Sequence, residues 1–222
     1  MTPRQPTRSR LFAPALLTLA AILGACNIAG PAGYFLLGPE KIPAMYELDP
    51  DRPTVVFIDD RASKVPARTA RTTIGKVAER ALLDEKVVKE VISSEGLAAV
   101  VSRERFGQPM GIAEIGEAVG ARTVIYATID EFTISTDGTT FAPRAVLRVK
   151  VVDTETKQRL WPREDPGWYA MTVQVPERQG LAPRTAAEIQ EAQQLLATRV
   201  GTALAKLFYK HEAHVPSERI GR

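Results

Sequence analysis

Apolar residues along the chain recur with two periods, and the switches between them outline the elements. Thr54–Ile58, TVVFI, is a short β-branched run that predicts a buried strand, ending at Asp59-Asp60-Arg61. From about Thr69 to Glu95 the pattern turns helical, with Ile74, Val77, Ala78, Ala81 and Leu82 at three- and four-residue steps. A break near Asp84 divides it, Val87, Val88, Val91 and Ile92 continuing in a second helix, and Gly96 is the expected stop. Leu97–Ser102, LAAVVS, reads as a second buried strand, and Ile112–Val119 as a short helix closed by Gly120.

The strongest strand signal is 122–134, RTVIYATIDEFTI, followed by the turn dipeptide Asp137-Gly138 and a returning strand over 143–153. In that strand Leu147, Val149 and Val151 alternate with Val146, Arg148 and Lys150, so one face is buried. Gln158–Trp161 starts a further strand, Pro162–Gly167 interrupts, and Trp168–Val175 alternates again. Pro183–His211 reads as a long amphipathic helix with Ile189, Ala192, Leu196, Val200, Leu204 and Phe208 on its apolar stripe. The order β-α-β-α-β-β-β-α predicts an α/β (α+β) fold: one mixed sheet with helices packed on it and a long C-terminal helix.

Upstream, the pattern is of another kind. Arg4, Arg8 and Arg10 precede LFAPALLTLAAILGA, residues 11–25, which has the basic-then-apolar order of a secretory signal. Fifteen helical residues span about 22 Å, short of a bilayer's hydrocarbon core of about 30 Å. Leu23-Gly24-Ala25-Cys26 then matches the bacterial lipobox, in which the signal is cut before the cysteine and the cysteine is acylated. Cys26 is the only cysteine in the chain and is the expected lipidation site. Residues 1–25 are read as the signal peptide, 26–53 as a Pro/Gly-rich lipid-anchored tether, 54–212 as the α/β envelope domain and 213–222 as a flexible tail. Tyr34-Phe35-Leu36-Leu37 is an apolar cluster unexpected in a free tether, read as packing on the domain in preference to the membrane surface.

Charge changes meaning once it is located. The chain has 29 Lys+Arg against 26 Asp+Glu, a formal +3 with a pI near 9.1. Three arginines and no acid lie in residues 1–25, so the mature chain balances at 26 of each. The broad basic footprint of a nucleic-acid partner is therefore absent. With no other cysteine, about 197 residues must hold their fold in an oxidising compartment by packing alone.

Candidate chemistry is sparse. His211 and His214 stand at i, i+3, where a helical zinc motif needs i, i+4, so no metal is expected. No G-x-S-x-G, Walker or dinucleotide glycine motif occurs, and no cofactor is expected. Gly107–Gly111 and Gly116–Gly120 are glycine pairs read as punctuation. Asp59 and Asp60 follow a buried strand, where open α/β sheets place sites; carboxylates there could bind a metal or act as acid and base, with Arg61 as the ion-pair alternative. Asp130-Glu131 is read as an exposed sheet edge or strand end. Trp161, Trp168 and Tyr169 around the PREDPG loop, with Arg163, form a candidate partner-binding group, to which Asp59 and Asp60 are added. A hydrophobic cap over the sheet is the competing reading of these aromatics.

The segments Val100–Arg103, Gly116–Thr128 (GEAVGARTVIYAT) and Arg144–Leu160 (RAVLRVKVVDTETKQRL) resemble bacterial envelope lipoproteins related to the curli-secretion lipoprotein and the peptidoglycan-synthase activator lipoproteins. The resemblance spans roughly Thr54–His211. It implies a small α/β domain on a lipid anchor that binds other envelope proteins without catalysis. Arg122 departs from the acidic or polar residue usual after Gly-Ala, and the 135–143 hairpin is too short for pore-forming strands, so the non-pore members are the nearer match. The expected function is a non-enzymatic adaptor or assembly component facing the periplasm, at the outer membrane in preference to the inner. The alternatives are a subunit of an oligomeric envelope ring and a tethered hydrolase using Asp59 and Asp60.

Overall fold

A computed structural model of the chain describes residues 41–104, 110–175 and 182–212. The signal peptide, Cys26, the Tyr34–Leu37 cluster, the greater part of the tether, His214 and the tail all lie outside the described residues. The elements are β1 (Lys41–Ile42), β2 (Thr54–Asp59), α1 (Arg68–Asp84), β3 (Val91–Ile92), α2 (Ser94–Glu104), α3 (Ile112–Ala118), β4 (Thr123–Thr133), β5 (Arg144–Asp153), β6 (Arg159–Trp161), β7 (Tyr169–Gln174), α4 (Ala186–Lys206) and β8 (His211–Glu212). One compact unit covers residues 43–211. None of the helices among the described residues is long and apolar enough to cross a membrane.

The fold is the mixed α+β arrangement expected. β2 runs parallel to β3 and to β4, while β5 is antiparallel to β4 and to both β6 and β7. Every residue of β2, TVVFID, is buried, as a central parallel strand covered on both faces requires. β4 is the longest strand, and alternation decides which side each residue takes. Ile125, Ala127 and Ile129 face the layer of α1 and α4, where Ile74, Leu82, Leu196 and Leu204 are almost fully buried. Burying each such side chain stabilises the fold by about 1.5–3 kcal/mol. α1 and α4 cross closely at Gly201: a Cβ there would lie 2.6 Å from the Ile74 carbonyl oxygen and 2.8 Å from Val77 Cβ.

The other face of the sheet is covered at one end only. Val55, Phe57, Val124 and Val152 pack there under Leu97 of α2 and Ala113 and Ile115 of α3. Gly116 of α3 has no room for a side chain against Val124 and Thr154. Beyond this cluster the sheet lacks a helical layer among the described residues.

Three placements differ from the sequence reading. Leu97–Ser102 belongs to helix α2, and the strand at that edge of the sheet is Val91–Ile92, paired with Thr54–Val55. Leu97, Val100 and Val101 also fit an i, i+3, i+4 stripe, and a short apolar run does not reveal its period by itself. α1 stops at Asp84, at the break the sequence predicts, but Val87–Ile92 are not the expected second helix: Lys86 turns the chain with φ +56°, Val91–Ile92 form β3, and Gly96, expected as a stop, lies inside α2. α4 is shorter than 183–211. Its start is set by a capping box, in which Thr185 Oγ1 accepts from the Glu188 N–H at 3.2 Å and the Glu188 carboxylate accepts from the Thr185 N–H at 3.0 Å.

Residues 43–53 lie along the domain. The N–H groups of Met45 and Tyr46 donate to the Leu207 carbonyl, Leu48 is buried, and the Tyr46 ring stacks 6.2 Å from Trp161. Arg52 donates a 2.7 Å bond to Asp153 at the end of β5.

Candidate functional site

The end of β2 places Asp59 and Asp60 as expected, and the structure uses both carboxylates. Asp59 is 7% exposed. Its Oδ1 accepts from the Arg61 N–H at 3.0 Å, and its Oδ2 accepts the Tyr126 hydroxyl at 2.6 Å with Arg61 Nε at 3.4 Å. Asp60 closes the next turn, Oδ1 accepting from the Lys64 N–H at 2.6 Å and Oδ2 from the Val65 N–H at 3.1 Å. The two acids therefore serve different partners, and they do not converge on a shared point of reaction. Burial first, and then the hydrogen bond and charge of Asp59, hold the Tyr126 phenol well above its ordinary pKa. Tyr126 thus stays a donor at every physiological pH. Among the described residues no group of three or more His, Cys, Asp or Glu could hold a metal.

The aromatic group divides between the two faces of the sheet. Trp161 and Tyr169 lie on the α4 side, half-buried, with rings 5.2 Å apart and Phe208 edge-on to Trp161 at 6.2 Å. These two are the hydrophobic cap. Trp168 turns to the other face, where it is 41% exposed and lies 5.2 Å from the Arg148 guanidinium. Arg163 is exposed in the loop between β6 and β7, and its carbonyl accepts a 3.2 Å bond from the Arg159 guanidinium.

Trp168 borders a surface that carries no sequence motif, the open half of the sheet. Register places Lys150 of β5 opposite Tyr126 and Arg148 opposite both Thr128 and Ala170. Ala170, Thr172 and Gln174 on β7 are exposed on this side, while Met171 and Val173 between them are buried. Arg148 is held by Asp130 through Nε and Nη2 at 2.8 and 2.7 Å. Arg144 reaches Glu131 at 3.4 Å, and its Nε is buried without a hydrogen-bond partner. The register of β4 against β5 shifts between Ile129 and Glu131, with Asp130 between them, beyond the point where β2 stops pairing at Asp59–Thr128. Asp130 and Glu131 lie within β4, with Phe132 and Thr133 still paired beyond them, and not at the strand end that was one of the two positions read from the sequence.

Lys150 differs from its neighbours. Its ammonium sits 5.2 Å from the Tyr126 ring centre, a cation–π contact, and no carboxylate among the described residues forms a salt bridge with it. Burial, then the charges of Arg159 and Arg148, push its pKa below the ordinary lysine value. The alternation Val146-Leu147-Arg148-Val149-Lys150 was the sequence signal for this surface. What it lacked was the identity of the strands on either side.

No protein-family model matches the chain, and neither does any curated protein. Among solved structures it is similar to the PelC dodecamer from Paraburkholderia phytofirmans, with 14% identity and a TM-score of 0.43 over 78% of this chain and 97% of that one. It is also similar to lipoprotein GNA1162 from Neisseria meningitidis, with 13% identity and a TM-score of 0.36 over 69% and 99% of the two chains. The LpoB C-terminal domain from Salmonella enterica shows 16% identity and a TM-score of 0.34 over 58% of this chain and 84% of that one.

Proposed function

We propose that this chain is a lipid-anchored protein of the bacterial envelope that works without catalysis, holding its α/β domain at the membrane through acylated Cys26 and binding other envelope proteins with the open half of its sheet. The observation that carries the anchor is the Leu23-Gly24-Ala25-Cys26 sequence directly behind a basic and then apolar leader, with no second cysteine in the chain. Several acyl chains on one residue hold a domain on a bilayer far longer than a single chain does. The adaptor reading is supported by the fate of Asp59 and Asp60, whose carboxylate oxygens are taken by Tyr126, Arg61 and turn N–H groups. It is supported also by Trp168, a large aromatic exposed beside charged groups where no helix among the described residues covers the sheet. The placement is the periplasmic side of the outer membrane.

A second reading, an oligomer of this chain, is favoured by β7, which pairs with β5 alone among the described residues and so leaves one edge free.

Two experiments on cells test the proposal. Cys26→Ser should appear as unprocessed precursor or as protein released from membranes; a variant still fully membrane-bound at wild-type size overturns the anchor. A photoreactive side chain in place of Trp168 should crosslink to another envelope protein. Crosslinking solely to further copies of the chain favours the oligomer, and no crosslink overturns the binding face.

A further inference from the structure

We propose that the open half of the sheet docks an acidic segment of a partner protein, with Lys150 receiving a carboxylate between Arg148 and Arg159 while Trp168 packs against the same segment. The proposal rests on the partner-binding reading above and narrows it to a chemistry. The arrangement is built by register. Arg159 of β6 pairs opposite Val152 of β5, which puts it on the same face as Lys150 and Arg148. The loop after β6 fixes Arg159 further: its guanidinium donates to the Arg163 carbonyl and leaves no room for a Cβ on Gly167.

Three cations therefore meet on one patch, and among the described residues a carboxylate, Asp130, pairs with just one of them. Lys150 is the member that gains most from an incoming anion. It is partly desolvated, it lacks a carboxylate partner among the described residues, and two guanidinium charges already oppose its own. A carboxylate arriving there relieves that repulsion, and its attraction is screened less than on open surface.

The rest of the face argues for a peptide over an anionic bilayer or a nucleic acid. Asp59, Asp130 and Glu131 border the cations, and a continuous run of phosphates would be repelled at each of them. An extended peptide can set one carboxylate on Lys150 and pass these positions with neutral residues. Beside the cations, Ala170 and Thr172 of β7 present small uncharged side chains, and Trp168 stands at the end of the row. An exposed aromatic next to a charge-reading group is the usual composition of an energetic centre in an interface.

The test titrates the detergent-solubilised full chain with a heptapeptide carrying one central glutamate among neutral residues, Ser-Ala-Ser-Glu-Ser-Ala-Ser with capped ends, and, separately, with vesicles of phosphatidylglycerol in phosphatidylcholine, by calorimetry at low salt. The peptide should bind, and Lys150→Gln should weaken it roughly tenfold, as loss of one charge-assisted contact does. Arg159→Gln, at an exposed position, should weaken it by a similar factor, which keeps the test open if Lys150→Gln does not fold. Lys210→Gln, following α4, should leave binding unchanged. Absence of peptide binding overturns the proposal, as does equal weakening by Lys210→Gln. Vesicle binding that depends on Lys150 when peptide binding does not assigns the patch to lipid and also overturns it. A chain that ignores the peptide yet still crosslinks through position 168 to an envelope protein refutes the acidic partner alone and leaves the adaptor reading standing.

Discussion

The Tyr126 hydroxyl donates a 2.6 Å hydrogen bond to Oδ2 of Asp59, joining the middle of β4 to the last residue of β2. The two side chains belong to adjacent parallel strands, and Phe57, directly opposite Tyr126, meets its ring edge-on at 5.4 Å. The bond gives a buried carboxylate a neutral donor in addition to Arg61, so the acid is part of the fold's polar framework. Tyr126→Phe should lower unfolding free energy by about 1–2 kcal/mol, because it leaves part of that carboxylate unsatisfied. Denaturant melts check this, and an unchanged midpoint would count against the structural role given to Asp59.

Arg52 and Asp153 form the corresponding tie at the other end of β2. Their 2.7 Å ion pair, at side-chain exposures of 19% and 6%, links the segment entering β2 to the end of β5. Asp153 also accepts the N–H groups of Glu155 and Thr156. The Arg52 hydrogen bond, reinforced by those N–H donors, holds the Asp153 carboxyl at about 2. A depressed acid stabilises the fold fully above its unfolded value of about 3.9 and loses that contribution as pH falls through the folded value. Asp153→Asn should therefore cost about 2 kcal/mol at pH 7, and the gap from wild type should close between about pH 4 and pH 2. Melting temperatures across that range measure it.

Gly201→Ala tests the crossing of α1 and α4. By intrinsic propensity alanine favours the helix by about 1 kcal/mol. Here the added methyl would meet the Ile74 carbonyl at 2.6 Å and Val77 at 2.8 Å, backbone and branched side chain that cannot swing aside. The variant should lose about 1–3 kcal/mol as overpacked helices separate. A gain in thermal stability would show that the two helices can move apart freely.

The fold class and most elements were legible because their patterns are long. β4, β5 and α4 each extend over ten residues or more, enough for period two or period 3.6 to declare itself. Leu97–Ser102 was too short and too uniformly apolar to do so, and β3 is only two residues, held by pairing with β2. The candidate site was legible in part. Asp59 was visible as an acid after a buried strand, but its partner Tyr126 lies 67 positions away and meets it only through the parallel register. Trp161 and Tyr169 look like Trp168 in sequence; strand alternation sends them to the opposite face. Lys150 stood in plain sight on β5, and its lowered pKa depends on burial and on the charges of Arg159 and Arg148, which only the folded arrangement brings near it.

The central claim is that Cys26 is the acylated first residue of a membrane-held domain, and the intact mass of the protein extracted from bacterial membranes tests it most directly. The account predicts a chain that begins at Cys26, lighter than the 222-residue precursor by residues 1–25 and heavier than residues 26–222 by a diacylglycerol and its accompanying acyl group. A membrane-bound species that retains Met1, or one cleaved elsewhere with an unmodified Cys26, would contradict it.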